Sequence, residues 1–178
     1  MKSYKTKFEK VKLLKIDIFR DKRGFFYENF HQAKYQNFFT SKFIQDNISF
    51  SKKNVIRGLH FQSYKPQSQL LTLIHGKIFD VIVDLRKNSK TFKKWLGFNL
   101  DHKKINQIYM PPGVAHGFCV LSDFATIHYK VSKFYDANNE TGIRWNDKTL
   151  NINWPIKKPI ISSKDNKLPY FKDIFKAK

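Results

Sequence analysis

Cysteine is almost missing from this chain, and so are long apolar runs. Cys119 is the only cysteine among 178 residues, so no disulfide can form within the chain, which fits a reducing cytoplasm. No stretch approaches the roughly 20 apolar residues that a membrane helix needs. The basic start MKSYKTKFEKVK is not followed by the apolar segment of a secretory signal. We therefore expect a cytoplasmic protein that does not associate with membranes.

Arginine is scarce in a strongly basic chain. Five arginines accompany 29 lysines, and the formal net charge is +20. Such a charge is typical of nucleic-acid-binding proteins. Bidentate phosphate recognition usually relies on arginine, however, and the lysines are spread along the whole sequence. We therefore expect a solvated lysine surface and no nucleic-acid partner, although its positive field would attract a small anionic substrate.

Motifs for metal binding and for nucleophilic catalysis are also lacking. The sequence has no His-x-His and no HExxH, and the spacing between His60 and His75 matches no metal-ligand pattern. It has no GxSxG and no phosphate-binding GxxxxGKS/T. Cys119 lies in the apolar run FCVL, where a buried thiol is unreactive. We therefore expect no metal and no nucleophilic catalysis, which leaves general acid–base chemistry.

Strand-forming residues are what the sequence has in abundance. It contains 18 Phe and eight Tyr, and short apolar runs recur between turn residues. Only residues 30–43 read as a helix. There is no internal repeat and no Pro/Gly-rich linker. The pattern predicts a single all-β domain, a sandwich or barrel, rather than alternating parallel strands and helices.

Three short segments place acid–base groups where a ligand has room. VIRGLHFQ (55–62) contains Arg57 and His60, and PPGVAHGF (111–118) sets His116 among small residues. In ATIHYKV (125–131), alternation puts Tyr129 on the more apolar face, so its hydroxyl needs a partner or a cavity. Each histidine alone is better read as structural. Together these residues suit proton transfer near a bound anion, and Asp165 is available to orient a histidine base.

Five longer motifs follow one another in an order that is known from one enzyme family. They are DKRGFFYE (21–28), QDNISFSKKNVIRGLHFQ (45–62), GKIFDVIVDLRKNSKTF (76–92), IYMPPGVAHGFCVLSDFA (108–125) and GIRWNDKTLNINWP with IISSKD (142–165). The chain resembles the dTDP-4-dehydrorhamnose 3,5-epimerases over most of its length. Several long motifs in the same order are a specific signal, which no one of them gives alone.

The resemblance implies both a fold and a reaction. The fold is a cupin-type jelly roll spanning residues 1–178, with a short C-terminal tail. It assembles as a homodimer in which the N-terminal segment crosses to the partner. In the reaction, the C4 ketone of a nucleotide-linked 6-deoxy sugar acidifies the C3 and C5 hydrogens. A base then removes a proton, and an acid returns one from the opposite face without a cofactor or metal.

The resemblance also implies a role for individual residues. His60 is the base, Asp165 its orienting carboxylate and Tyr129 the acid, while Arg57 binds the diphosphate. The other carried-over positions are Arg23 and Lys164 as anion contacts, Gln45 and Asn47 at the nucleotide, Phe26 and Glu28 in the binding segment, and Asp80, His116 and Tyr135 in the pocket.

Two positions depart from a simple extrapolation. Strict alternation places Arg57 and His60 on opposite faces of their strand, so a shared site requires a bulge at Gly58 or an arginine that reaches around the strand end. Gln69 stands where the family usually has a lysine that stabilises the enolate oxyanion. A neutral amide donates a weaker hydrogen bond than a cation does, so Lys65 or His116 would have to compensate.

Alternative functions remain open on the sequence. Within the same class, the chain could epimerise C3 alone or act on a GDP-linked 4-keto-heptose, because sugar and base selectivity depend on pocket shape. A ketoisomerase of the same fold would move the carbonyl instead of inverting a centre. The non-enzymatic alternative is a nucleotide-sugar-binding cupin that has lost catalysis.

Overall fold

The computed structural model describes residues 1–104 and 106–175, and within them β-strands dominate. The strands are β1 (Lys2–Lys5), β2 (Lys12–Lys15), β3 (Phe19–Asp21), β4 (Gly24–Phe26), β5 (Gln45–Lys52), β6 (Ile56–Gln62), β7 (Gln69–His75), β8 (Lys77–Asp84), β9 (Trp95–Asp101), β10 (Asn106–Met110), β11 (Val114–Val120), β12 (Phe124–Val131) and β13 (Glu140–Gly142). Three short helices are α1 (Gln32–Tyr35), α2 (Ser163–Asn166) and α3 (Phe171–Ile174), and a 3-10 turn spans His102–Lys104. No helix in this part of the chain is long and apolar enough to cross a membrane.

Two antiparallel sheets form a jelly-roll sandwich, which confirms the predicted all-β fold. One sheet has six strands in the order β1-β2-β10-β7-β12-β5, and the other has five in the order β13-β6-β11-β8-β9. Strands β3 and β4 form a separate hairpin. Alternate residues of the two sheets meet in a shared core, where Leu71 and Ile127 of one sheet pack with Ile78, Ile82 and Phe118 of the other.

The C-terminal segment covers the outer face of the five-stranded sheet. Val81 and Val83 of β8 pack there against Ile143 and Phe171. Both faces of β8 are therefore buried, including Asp80 and Asp84, which are each fully shielded from solvent. Alternation places these two carboxylates on the same face as Ile78 and Ile82, which packs against the six-stranded sheet, but it does not predict that carboxylates are buried there.

The segment 30–43 covers the outer face of the six-stranded sheet, but the predicted helix over this range is wrong in extent. Only Gln32–Tyr35 is helical. Phe39 stacks on Tyr109 with ring centroids 4.1 Å apart, and Phe43 meets Phe39 edge-on. The Tyr35 hydroxyl donates to Gln107 at 2.6 Å. These aromatic contacts with the sheet outweigh helix propensity, so the chain leaves the helix after one turn.

Asp84 holds the β8–β9 loop together through a fully buried carboxylate. It accepts hydrogen bonds from the Arg86 guanidinium at 2.8 Å and from Ser89 and Thr91 hydroxyls at 2.6 Å. Burial by itself raises the pKa of Asp84, but these hydrogen bonds outweigh it and lower the pKa to about 2. The ionised form is therefore the one that the folded state stabilises.

We expect Asp84→Asn to lower the free energy of unfolding by about 1–3 kcal/mol at neutral pH, because it removes an ionised acceptor from a buried network. Since the folded pKa lies below the unfolded value of about 3.9, the contribution is complete above pH 4 and is lost as the pH falls towards 2. Denaturant unfolding at several pH values measures this. Asp123→Asn, at an exposed carboxylate paired with Lys53, is the control, and an equal loss in both variants would contradict the assignment.

Candidate active site

A cavity of about 610 Å³ opens between the two sheets. Residues of β5, β7 and β12 from the six-stranded sheet line it together with residues of β6 and β11 from the five-stranded sheet. The segment 160–165, which ends in α2, contributes a further wall. The cavity therefore collects side chains that are far apart in the sequence, and many of them are polar.

His60 and Asp165 form a hydrogen-bonded pair at the cavity wall. His60 Nε2 lies 2.8 Å from Asp165 Oδ1, and the second oxygen, Oδ2, accepts the Gly58 amide at 3.1 Å. The Ser162 hydroxyl caps α2 by accepting the Asp165 amide at 3.0 Å. Burial raises the pKa of Asp165, but the hydrogen bond to His60 helps to lower it overall. An ionised, nearly buried carboxylate thus orients an imidazole whose Nδ1 has no hydrogen-bond partner among the described residues.

A bulge in β6 brings Arg57 and His60 to the same cavity. His60 is paired with His116, whereas Arg57 is paired with Phe118, so β6 carries one more residue than β11 over this stretch. Gly58 lies within the bulge with φ of 114°. The bulge expected at Gly58 is therefore present, and Arg57 and His60 both line the cavity.

Glycine is required at position 58 for two reasons. Its φ lies in a region that L-residues rarely adopt, and a Cβ there would lie 2.6 Å from Gly117 Cα and 2.7 Å from the His116 carbonyl oxygen. A side chain would therefore push β6 away from β11 at the point where the two cavity histidines face each other.

Tyr129 reaches the cavity from β12. Its hydroxyl lies 3.5 Å from Ser49 Oγ, and its ring meets His116 edge-on with centroids 6.1 Å apart. Burial raises the pKa of the Tyr129 phenol further above its usual range. The phenol is therefore protonated at neutral pH and can donate a proton or a hydrogen bond into the cavity.

His116 has its own buried carboxylate. Its Nε2 lies 2.6 Å from Asp80 Oδ2, and Asp80 is fully buried. The other Asp80 oxygen is buried without a hydrogen-bond partner among the described residues. Two histidine–aspartate pairs thus face one cavity from neighbouring strands.

The two cations of the cavity, Arg57 and Lys164, make weaker contacts than the two histidines do. The Arg57 guanidinium donates to neutral acceptors, the Ser51 hydroxyl at 2.8 Å and the Phe50 carbonyl at 3.3 Å. Lys164 pairs with Glu140 and remains largely exposed. Both cations are therefore available to an anionic ligand.

Comparisons with known proteins identify the family of the chain. The family model described as dTDP-4-dehydrorhamnose 3,5-epimerase matches residues 5–173. The dTDP-4-dehydrorhamnose 3,5-epimerase of Shigella flexneri is 46% identical over 169 residues, 93% of each chain. The chain belongs to this family. Its members are isomerases, and the chain is an enzyme of this class.

Solved structures of the epimerase family superimpose on most of the chain. The Bacillus anthracis 3,5-epimerase with TDP and PPi bound has a TM-score of 0.91 at 45% identity and covers 95% of this chain and 98% of its own. The Legionella pneumophila enzyme in complex with dTDP-4-keto-L-rhamnose also has a TM-score of 0.91, at 38% identity, and covers 95% and 92%. The fold and the family are thus established together.

Most of the residues predicted from the sequence gather at this cavity. Those that line it are Asn47, Arg57, His60, Gln69, His116, Tyr129, Tyr135, Lys164 and Asp165. Two further predicted residues stand behind the lining. Asp80 supports His116, and Gln45 donates to Asn47 Oδ1 at 2.8 Å while accepting the Tyr135 amide at 3.0 Å.

Three predicted residues do not reach the cavity of their own chain. Arg23 pairs with Asp21 at the β3–β4 turn, and Phe26 is 68% exposed on the same hairpin. Glu28 pairs with Lys34 on the far side of the six-stranded sheet. Lys65, considered as a compensating cation for Gln69, also does not line the cavity.

Sequence reasoning missed four residues that hold the site in shape. Ser49 and Ser51 contact Tyr129 and Arg57, Ser162 caps α2, and Glu140 pairs with Lys164. The two β5 serines carried a usable signal, because they alternate with Asn47 on one face of the strand. Ser162 also gave a local sign, since a serine three residues before an aspartate is typical of a helix N-cap, whereas Glu140 gave none, because Lys164 comes from elsewhere in the fold.

We expect Gly58→Ala to lower the free energy of unfolding by about 1–3 kcal/mol or more, because it adds both backbone strain and a steric clash with β11. Gly24→Ala is the matched control, since Gly24 also has a positive φ of 136° but has nothing within 4 Å of the position that a Cβ would take. Denaturant unfolding compares the two. Equal losses would show that the close approach to Gly117 has no effect of its own.

Proposed function

We propose that the chain is a nucleotide-diphospho-4-keto-sugar 3,5-epimerase that converts dTDP-4-dehydro-6-deoxy-D-glucose into dTDP-4-dehydro-L-rhamnose. The observation that carries the proposal is that the His60–Asp165 pair and the protonated Tyr129 line one cavity. The names of the relatives and the TDP and sugar ligands of the solved structures support the choice of substrate.

The reaction needs a base and an acid around a ketone. The C4 carbonyl acidifies the hydrogens on C3 and C5, and His60, oriented by Asp165, accepts one of them to leave an enolate. Tyr129 then returns a proton from the opposite face, which inverts the carbon. The raised pKa of Tyr129 suits this role, because the phenol holds its proton until the strongly basic enolate carbon takes it.

We propose that the His116–Asp80 pair stabilises the negative charge that develops on the enolate oxygen. A developing oxyanion is stabilised by a prearranged donor in a site that excludes water. His116 lines the cavity, and the contact of its Nε2 with the buried Asp80 carboxylate fixes the orientation of the ring. Gln69 lies on the same cavity wall and adds a neutral amide donor. The assignment requires His116 to carry a hydrogen on both ring nitrogens, one donated to Asp80 and one to the enolate oxygen.

The ligand's anionic end is proposed to meet Arg57 and Lys164, with Asn47, Gln45 and Tyr135 around the nucleotide. The guanidinium of Arg57 donates to neutral oxygens, and Lys164 is mostly exposed. Phosphate oxygens would form stronger, charge-assisted hydrogen bonds with both cations. We also propose a cytoplasmic location, as the single cysteine led us to expect.

His60→Ala should reduce turnover by about 10²- to 10⁴-fold, because the base is lost, while dTDP still binds, because the residues proposed to hold the nucleotide are unchanged. The measurement follows deuterium incorporation at C3 and C5 of the 4-keto sugar in D₂O by NMR. His75→Ala is the control, since His75 stacks on Phe124 outside the cavity. Wild-type exchange by His60→Ala would refute the base assignment.

The same assay separates the remaining alternatives. Deuterium at both carbons supports the 3,5-epimerase, whereas deuterium at C3 alone identifies the narrower C3-epimerase. Exchange with a GDP-linked 4-keto-heptose and none with the dTDP sugar would show that the substrate is a GDP-linked sugar. Movement of the carbonyl to another carbon would indicate a ketoisomerase.

We propose further that the enzyme works as a homodimer whose N-terminal segments complete the partner's cavity. Arg23, Phe26 and Glu28 do not reach the cavity of their own chain. The β3–β4 hairpin instead exposes Phe19, Phe25 and Phe26. Exposed aromatic side chains grouped on one hairpin are typical of a contact surface.

A mixed dimer tests this arrangement. His60→Ala and Arg23→Ala chains with different tags are co-expressed, and the doubly tagged heterodimer is isolated. If Arg23 serves the partner's cavity, both defects fall in one site and the other site is intact, so the heterodimer is more active than the average of the two homodimers. Activity no higher than the average of the two homodimers would place Arg23 in its own chain's site or outside any site.

A further inference from the structure

Glu140 is the one carboxylate of the described cavity lining that is not committed to a histidine. The other lining carboxylate, Asp165, is held by His60 and by the Gly58 amide. Glu140 lies at the start of β13, where it is paired with Gln62 of β6. It therefore places a negative charge in a cavity whose proposed ligand is itself an anion.

Glu140 makes two polar contacts, both with groups that we assign to ligand binding. Its Oε2 accepts the Tyr135 hydroxyl at 3.1 Å and also contacts the Lys164 ammonium. The pairing with Glu140 raises the pKa of Lys164. Lys164 precedes Asp165 in α2, so the contact with Glu140 also lies beside the hydrogen-bonded His60–Asp165 pair.

The ion pair between Glu140 and Lys164 is of a kind that exchanges easily. The Lys164 side chain is 58% exposed and that of Glu140 is 19% exposed. Pairs that are open to water contribute about 0–1 kcal/mol. A phosphate group carries more charge and accepts stronger hydrogen bonds than one carboxylate does, so it can replace Glu140 at the ammonium.

We propose that Glu140 is a binding-site residue that sets the affinity for the anionic group of the ligand. Its carboxylate competes with that group for Lys164, and it repels any anion that enters without displacing it. This inference rests on the proposed function in taking the anion to be the diphosphate of a nucleotide sugar. Tyr135, which loses its acceptor when Glu140 moves, becomes free to turn towards the ligand.

Calorimetric titration with inorganic pyrophosphate and with dTDP, at one fixed ionic strength, tests the competition. Glu140→Gln should tighten the binding of both ligands by roughly three- to tenfold, because the competing charge is removed. Asp101→Asn is the matched control, since Asp101 and Lys77 form a similar pair, 24% and 59% exposed, away from the cavity. This control should leave both affinities unchanged.

The contribution of Lys164 is measured with a double-mutant cycle. In the Lys164→Gln background, the gain from Glu140→Gln should shrink, because the group for which the two anions compete is gone. An undiminished gain would mean that Glu140 only repels the ligand, and it would overturn the proposal that the ligand displaces Glu140 from Lys164. Unchanged or weaker binding by Glu140→Gln, or an equal gain in Asp101→Asn, would overturn the proposal altogether.

The pyrophosphate titration keeps this inference separate from the proposed function. Tighter pyrophosphate binding by Glu140→Gln, together with no deuterium exchange into any 4-keto sugar by the wild type, would uphold the competition and refute the epimerase assignment. Wild-type exchange with unaltered pyrophosphate affinity in Glu140→Gln would do the reverse.

Discussion

The carboxylate of Asp165 joins the three parts of the chain that the candidate site requires. One oxygen holds the His60 imidazole and the other accepts the Gly58 amide, although Asp165 lies more than 100 residues further along the chain. A nearly buried carboxylate is tolerated only when its oxygens are hydrogen-bonded. The bulge, the imidazole and the segment that carries α2 therefore fix one another, and loss of any contact would leave a buried charge unsatisfied.

The bulge decides which side of β6 faces the cavity. Because side chains alternate along a strand, one extra residue between Arg57 and His60 turns both of them to the same side. The glycines at positions 58 and 117 let β6 and β11 approach closely at this point. The register of β6 and β11 then places His60 directly opposite His116. The bulge is thus what brings Arg57 and His60 to the same cavity, which His116 also lines.

The sequence predicts the regular parts of this structure better than the site. Alternation in β12 correctly points Tyr129 towards the interior, and long motifs in order predict the jelly roll. From the sequence, a bulge at Gly58 is one of two ways to bring Arg57 and His60 together. The register shift that shows it lies in the pairing of β6 with β11. The contacts of Glu140 with Lys164 and of Asp80 with His116 depend on how strands are arranged in space. The false extension of the helix over 30–43 has the same cause, since sheet contacts and not local propensity decide it.

The charged groups of the cavity fall into two kinds, and the difference follows from burial. Asp80 and Asp165 are shielded from water, so separating either from its histidine would strand a charge in a poorly solvated interior. Arg57 and Lys164 contact their partners where water reaches, so their contacts are replaced at little cost. In the reaction that we propose, His60 and His116 must keep their geometry through every turnover, whereas Arg57 and Lys164 must release the anion. The buried Asp165–His60 and Asp80–His116 pairs meet the first requirement. The exposed contacts of Arg57 and Lys164 meet the second.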